Sequence, residues 1–69
     1  MGKDIGDYQQ KIYNLIRPKR IYNSRETARL LRVERSDVIN SIVAGKLKGL
    51  LVNRNYRILG KNIQENLRR

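Results

Sequence analysis

Cysteine, histidine, phenylalanine and tryptophan are all missing from this 69-residue sequence, and proline occurs once. Without Cys, no disulfide and no thiolate metal site can staple the domain. Without His as well, zinc held by its usual ligands is excluded, and we expect no metal and no cofactor. With neither Phe nor Trp, a single-strand reader built on stacked aromatics is disfavoured. Acid is scarce: six Asp and Glu face sixteen Lys and Arg, for a formal charge of +10. No apolar run approaches the roughly 20 residues of a membrane span, so no membrane partner is expected. Met1-Gly2-Lys3-Asp4 leads into a mixed polar segment without a signal-peptide pattern. Gly2 resembles a myristoylation start, but Gly6 stands where Ser or Thr is required.

Catalytic chemistry is poorly supplied. The carboxylates are scattered, and the helix neighbours Asp4 and Asp7 suit a helix dipole better than an acid–base pair. Ser24, Ser36 and Ser41 have no His to activate them, and Gly45 and Gly49 are isolated rather than part of a phosphate cradle. We expect no enzyme and no small-molecule substrate.

What is present is an aliphatic core in one short chain. A domain of this size hides only about 60% of its unfolded surface, so its stability margin is thin. Ile5, Tyr8, Ile12 and then Leu15 or Ile16 recur at helical steps, predicting an amphipathic helix over 4–16 with Asp4 as its cap. Pro18 stops it near Ile16. A basic connector and a short strand at Ile21-Tyr22 follow. Ser24 is the expected cap of the next helix, which carries Glu26, Ala28 and Leu31; position 27 is Thr27, so no full capping box is expected. After Arg32-Val33-Glu34, a second helix over 35–44 puts Val38 and Ile42 inward and stops at Gly45. Leu50-Leu51-Val52 and Tyr56-Arg57-Ile58 flank Asn53-Arg54-Asn55 as a hairpin. Lys61 to Leu67 is a short closing helix, with Arg68-Arg69 as a frayed basic end. The expected fold class is mainly α with a small β-hairpin, a winged helix-turn-helix with an extra N-terminal helix. Its division is an N-terminal helix and connector over 1–20 and a DNA-binding domain over 21–69.

Charge and architecture together point to nucleic acid. Residues 38–69 hold Lys46, Lys48, Arg54, Arg57, Lys61, Arg68 and Arg69 against the single acid Glu65. Basic groups on a hairpin directly after two paired helices suit phosphate contact and groove entry. On the second helix Arg35, Ser36, Ile39 and Asn40 are the candidate base readers: Arg pairs with guanine, Asn with adenine, and Ile meets a thymine methyl. Lys46 and Lys48 would touch backbone. Arg54 at the tip, with Asn55 beside it, would enter a minor groove, and Arg57 would face phosphate while Tyr56 packs inward.

From Ile21 to Leu67 the chain resembles the excisionase family of small DNA-binding proteins and the related MerR-like winged-helix module. Tyr22, Ser24, Glu26, Ala28 and Leu31 carry the opening half of that resemblance. Val33, Val38, Ile42 and Gly45-Lys46-Leu47 carry the middle, and Val52, Arg54, Tyr56-Arg57-Ile58, Ile63 and Leu67 the end. Arg32 stands where the family has Gly, and Glu34 where it has Ser or Thr. The resemblance implies a sequence-specific double-stranded DNA binder acting in site-specific recombination or transcriptional regulation. Its helix 35–44 would lie in the major groove and its wing 53–57 in the minor groove. It also implies an integrase or a second copy as partner, and a cytoplasmic place on nucleoid, viral or plasmid DNA. Two alternatives stand beside it: a protein-interaction module docking through helix 4–16 onto an integrase, a polymerase or a second copy, and a nonspecific architectural DNA or RNA binder.

Overall fold

The computed structural model describes residues 3–68, with side chains from residue 8 onward. The side chains of Asp4, Ile5 and Asp7, the start at Gly2 and the end at Arg69 lie outside that description; Asp4, expected as the cap of the first helix, falls inside that helix, because it begins at Lys3. Seven elements follow in order: α1 (Lys3–Leu15), β1 (Ile21–Tyr22), α2 (Ser24–Leu31), α3 (Arg35–Val43), β2 (Leu50–Val52), β3 (Asn55–Leu59) and α4 (Gly60–Leu67). The protein is mainly helical with a small antiparallel sheet of strand order β1-β3-β2. β1 returns to pair with the far end of β3, Ile21 opposite Leu59 and Tyr22 opposite Ile58.

A single aliphatic core joins these elements. Ile12 comes from α1 and Ile16 from the residue just after it, Tyr22 from β1, Ala28 from α2, Val38 from α3, Ile58 from β3 and Ile63 from α4. Leu47, in the segment between α3 and β2, completes it. Of the two apolar residues competing for the last turn of α1, Ile16 is buried and Leu15 is 66% exposed. That outcome follows from the four-residue step after Ile12, which a helix stacks on one face. β2 is the one element that contributes nothing to the core; all three of its residues are exposed.

Local chemistry explains where the elements start and stop. Asn23, not Ser24, caps α2: its side-chain oxygen accepts the Glu26 N–H at 2.7 Å, and the Glu26 carboxylate accepts the Asn23 N–H at 3.0 Å. A full capping box therefore exists where none was expected, with the cap one residue earlier than Ser24, because Asn and Ser cap almost equally well and stand side by side here. Ser24 instead is buried. α2 ends on Arg32 in the left-handed conformation, φ 57°, where its guanidinium lies 4.0 Å from the centre of the Tyr8 ring. At the start of α3 the Asp37 carboxylate accepts the Glu34 N–H at 3.0 Å, in the first turn, where the helix dipole favours an acid. Gly45, at φ 79°, ends the segment after α3. The hairpin turn has two residues rather than three. Asn53 and Arg54 take positive φ of 50° and 68°, which makes Asn55 the first residue of β3. α4 begins at Gly60, a residue earlier than expected.

α1 is tied into the rest of the molecule by polar contacts as well. Tyr8 Oη donates to the Leu30 carbonyl at 3.2 Å. Gln64 Nε2 donates to the carbonyls of Tyr13 and Ile16 at 3.0 and 3.2 Å, satisfying the otherwise open end of α1. The Arg17 N–H donates to Tyr22 Oη at 3.0 Å.

Candidate functional site

No Asp or Glu occurs between Asp37 and Glu65, a stretch that holds Lys46, Lys48, Arg54, Arg57 and Lys61. This acid-free stretch covers most of α3, the hairpin and the start of α4. The cations nearer α1 are engaged differently. Arg20 pairs with Glu26 at 3.2 Å and lies over Tyr22, while Arg68 lies over Tyr13.

The proposed reading residues of α3 separate on inspection. Ser36 and Asn40 are exposed and four residues apart, so they share one helix face. Ile39 is half-buried, and Val43, one turn further along, is 75% exposed. Arg35 is exposed, yet its Nε donates to the buried Ser24 hydroxyl at 3.1 Å. That bond fixes the side chain against the start of α2 and ties the two helices together. Nothing in the local spacing of Arg35 signals it, because the partner lies eleven residues away.

Lys46 and Lys48 line a cleft of about 200 Å³ with Gly45, Asn62, Glu65 and Asn66, on the α4 side of the connecting segment. Arg54 is at the turn. Asn55 and Arg57 share a sheet face, and the ladder register sets Val52 opposite Asn55 and Leu50 opposite Arg57. The other face of β3 carries half-buried Tyr56 and fully buried Ile58, with Leu51 opposite Tyr56. Tyr56 thus packs inward as expected.

The residues that sequence reasoning passed over are apolar. Leu50 is 69% exposed, Leu51 59% and Val52 36%, although successive strand residues point to opposite faces. β2 therefore exposes apolar side chains on both faces of the hairpin, with Arg57 opposite Leu50 and with Lys48 and Arg54 beyond its two ends. The signal was available in the three consecutive apolar residues of a strand too short to bury them.

Among the described residues no three His, Cys, Asp or Glu side chains gather in a way that could hold a metal ion. No described helix is long and apolar enough to cross a membrane.

The fold and surface define a small, mainly helical, strongly cationic domain with an exposed hairpin. Against known proteins, the chain is 48% identical over 54 residues to magnetosome protein MamR of Magnetospirillum gryphiswaldense, a match covering 78% of this chain and 64% of that protein. It is 43% identical over 54 residues to magnetosome protein MamR of Paramagnetospirillum magneticum, with the same coverage. The chain thus spans a little under two thirds of the length of these relatives. No family model matches it, and no solved structure matches it.

These relatives correct the family expectation. Proteins nearly half identical to this chain are named for the magnetosome, not as excisionases or MerR-like regulators. The assignment to site-specific recombination or transcriptional regulation falls with it. The physical reason lies in the segments that carried the resemblance. Gly45 is a left-handed stop after α3, and Leu47 is 2% exposed in the core. Gly45-Lys46-Leu47 thus ends a helix and turns the chain back onto the core, a structural task that marks no particular function. Similar demands shape Tyr56-Arg57-Ile58, whose Ile58 is fully buried.

Proposed function

We propose that this chain serves in magnetosome formation as a non-catalytic binding module. The observation that carries the reading is its 48% identity over 54 residues to magnetosome protein MamR. The module works through its cationic end, where the stretch between Asp37 and Glu65 concentrates Lys and Arg without a carboxylate. Such a surface gains affinity by displacing counterions from a polyanion, a mode that needs neither a catalytic group nor base-specific contacts. Double-stranded DNA is the polyanion we propose for it, with α2, α3 and the hairpin read as a winged helix-turn-helix.

A fluorescent fusion of the chain expressed in Magnetospirillum gryphiswaldense tests the first part. The fusion is expected to co-purify with isolated magnetosomes; an even distribution through the cell extract would remove the magnetosome from the account. The second part is tested by anisotropy titration with random duplex at several salt concentrations, where affinity should fall steeply as salt rises.

A further inference from the structure

We infer that the outer edge of β2 accepts an acidic, apolar segment of a partner protein as a fourth strand of the sheet. The inference stands apart from the magnetosome reading, because it depends only on the hairpin and its charges.

The strand order β1-β3-β2 leaves β2 at an edge. Its residues Leu50, Leu51 and Val52 are all exposed, and no backbone hydrogen bond outside the hairpin ladder reaches them among the described residues. In a hairpin closed by a two-residue turn, the pair Val52–Asn55 bonds inward. The alternation of the ladder then points the N–H and C=O of Leu51 away from β3. An edge of this kind is ordinarily blunted by a charge, a proline or a bulge within the strand. Here the strand contains none of these; it is three aliphatic residues in a row.

The charges at its two ends decide what can sit there. Lys48 precedes the strand and Arg54 follows it, both exposed. A second copy pairing antiparallel about Leu51 would set Lys48 of one molecule against Arg54 of the other at both ends. Like charges directly opposite destabilise a strand pair, and the chain's charge of +10 adds to the repulsion. A segment with carboxylates at those two places meets the same charges favourably. Its apolar centre would cover Leu51 on one face and Leu50 with Val52 on the other. Lipid is a poorer occupant, since apolar surroundings leave the outward amide and carbonyl of Leu51 unpaired, whereas an added strand satisfies both.

The test uses the full chain and three labelled peptides: Glu-Thr-Val-Val-Val-Thr-Glu, its Lys-ended counterpart, and a scrambled peptide of the first composition. Anisotropy should show the Glu-ended peptide binding at least tenfold more tightly than either control. Hydrogen exchange should show the Leu51 amide slowing when it binds. Leu51→Pro removes the outward donor at an edge position that tolerates proline, and should abolish binding. Should that variant fail to fold, the double variant Lys48→Glu with Arg54→Glu keeps the test alive by reversing the preference towards the Lys-ended peptide. Equal binding of the Glu-ended and scrambled peptides would overturn the inference, as would an unprotected Leu51 amide. Protection of Leu51 by phosphatidylserine vesicles but not by the peptide, or by self-association at high concentration, would overturn it equally.

Discussion

Gly60 lies so close to the carbonyl of Arg17 that a β-carbon on Gly60 would overlap the Arg17 oxygen. Around this contact the connector is bonded to the start of α4: the Gly60 N–H donates to the Arg20 carbonyl at 2.8 Å and the Lys61 N–H to the Pro18 carbonyl at 3.0 Å. The segment after α1 and the segment after β3 are thereby clamped backbone to backbone, which draws α1 and α4 together. Glycine is needed here for closeness of approach rather than for an unusual φ.

Gly60→Ala should therefore be costly. Overpacking against backbone, which cannot rotate away, destabilises by about 2 kcal/mol. In a domain of this size that lowers the melting temperature by about 10 °C. Gly49→Ala is the control: its β-carbon would meet side chains, Ile42 Cδ1 at 3.0 Å and Ile58 Cγ1 at 3.2 Å, which need give by only a few tenths of an ångström, and no backbone atom. Calorimetry of the two variants should show the Gly60 variant losing more than twice as much as the Gly49 variant.

Asn23→Ala removes the side-chain half of the α2 capping box and should cost about 1 kcal/mol. Asn23→Asp and Asn23→Ser, which keep an acceptor for the Glu26 N–H, should restore most of it. Urea denaturation at neutral pH reads the series directly. A loss as large in Asn23→Asp as in Asn23→Ala would show that the cap bond is not what holds the start of α2.

Much of this architecture was legible in the residues, and the places where it was not share a cause. Helix-period spacing and cap residues located the four described helices, and two β-prone runs around Asn53-Arg54-Asn55 located the hairpin, because those signals lie within one element. The errors were of one residue: Asn23 against Ser24, and Asn55 placed in the turn rather than in β3. In both places neighbouring residues have nearly equal local preferences, and only the register of the finished structure chooses. The β1–β3 pairing, the bond from Arg35 to Ser24 and the clamp at Gly60 join residues far apart in the chain, so no local pattern carries them. At the surface, cations were easy to find because charge is visible residue by residue. The exposed apolar edge of β2 went unnoticed, because an apolar residue in a strand is read as core until the strand is seen to stand clear of it. The family resemblance failed on short motifs that record how a helix stops and how a strand packs.

Arg54 offers a prediction in which stability and binding move in opposite directions. At φ 68° the residue occupies a conformation that costs an ordinary side chain about 1 kcal/mol and glycine almost nothing. Arg54→Gly should raise the denaturation midpoint while weakening association with duplex DNA. If the guanidinium contacts one phosphate, the slope of log affinity against log salt should flatten by about 0.9. A variant that is stabilised yet binds with an unchanged slope would take the hairpin tip out of the polyanion-binding surface.

Leu15 and Ile16 are adjacent, equally apolar and oppositely placed, at 66% and 3% exposure. If α1 is part of the core rather than an appendage, truncating the two must have very different consequences. Ile16→Ala removes buried methyl groups from a cluster shared with Ile12, Tyr22, Ile58 and Ile63, at a cost of about 2 to 5 kcal/mol. That is a large part of the whole stability of a chain this short, which is on the order of 0.1 kcal/mol per residue. Leu15→Ala, on the exposed side, should change stability by less than about 0.5 kcal/mol. Chemical denaturation followed by circular dichroism separates the cases: Ile16→Ala should move the denaturation midpoint far below that of the parent, and Leu15→Ala should overlay the parent curve. Equal and small effects at both positions would mean that the sheet and the remaining helices fold without α1, leaving that helix free to engage a partner.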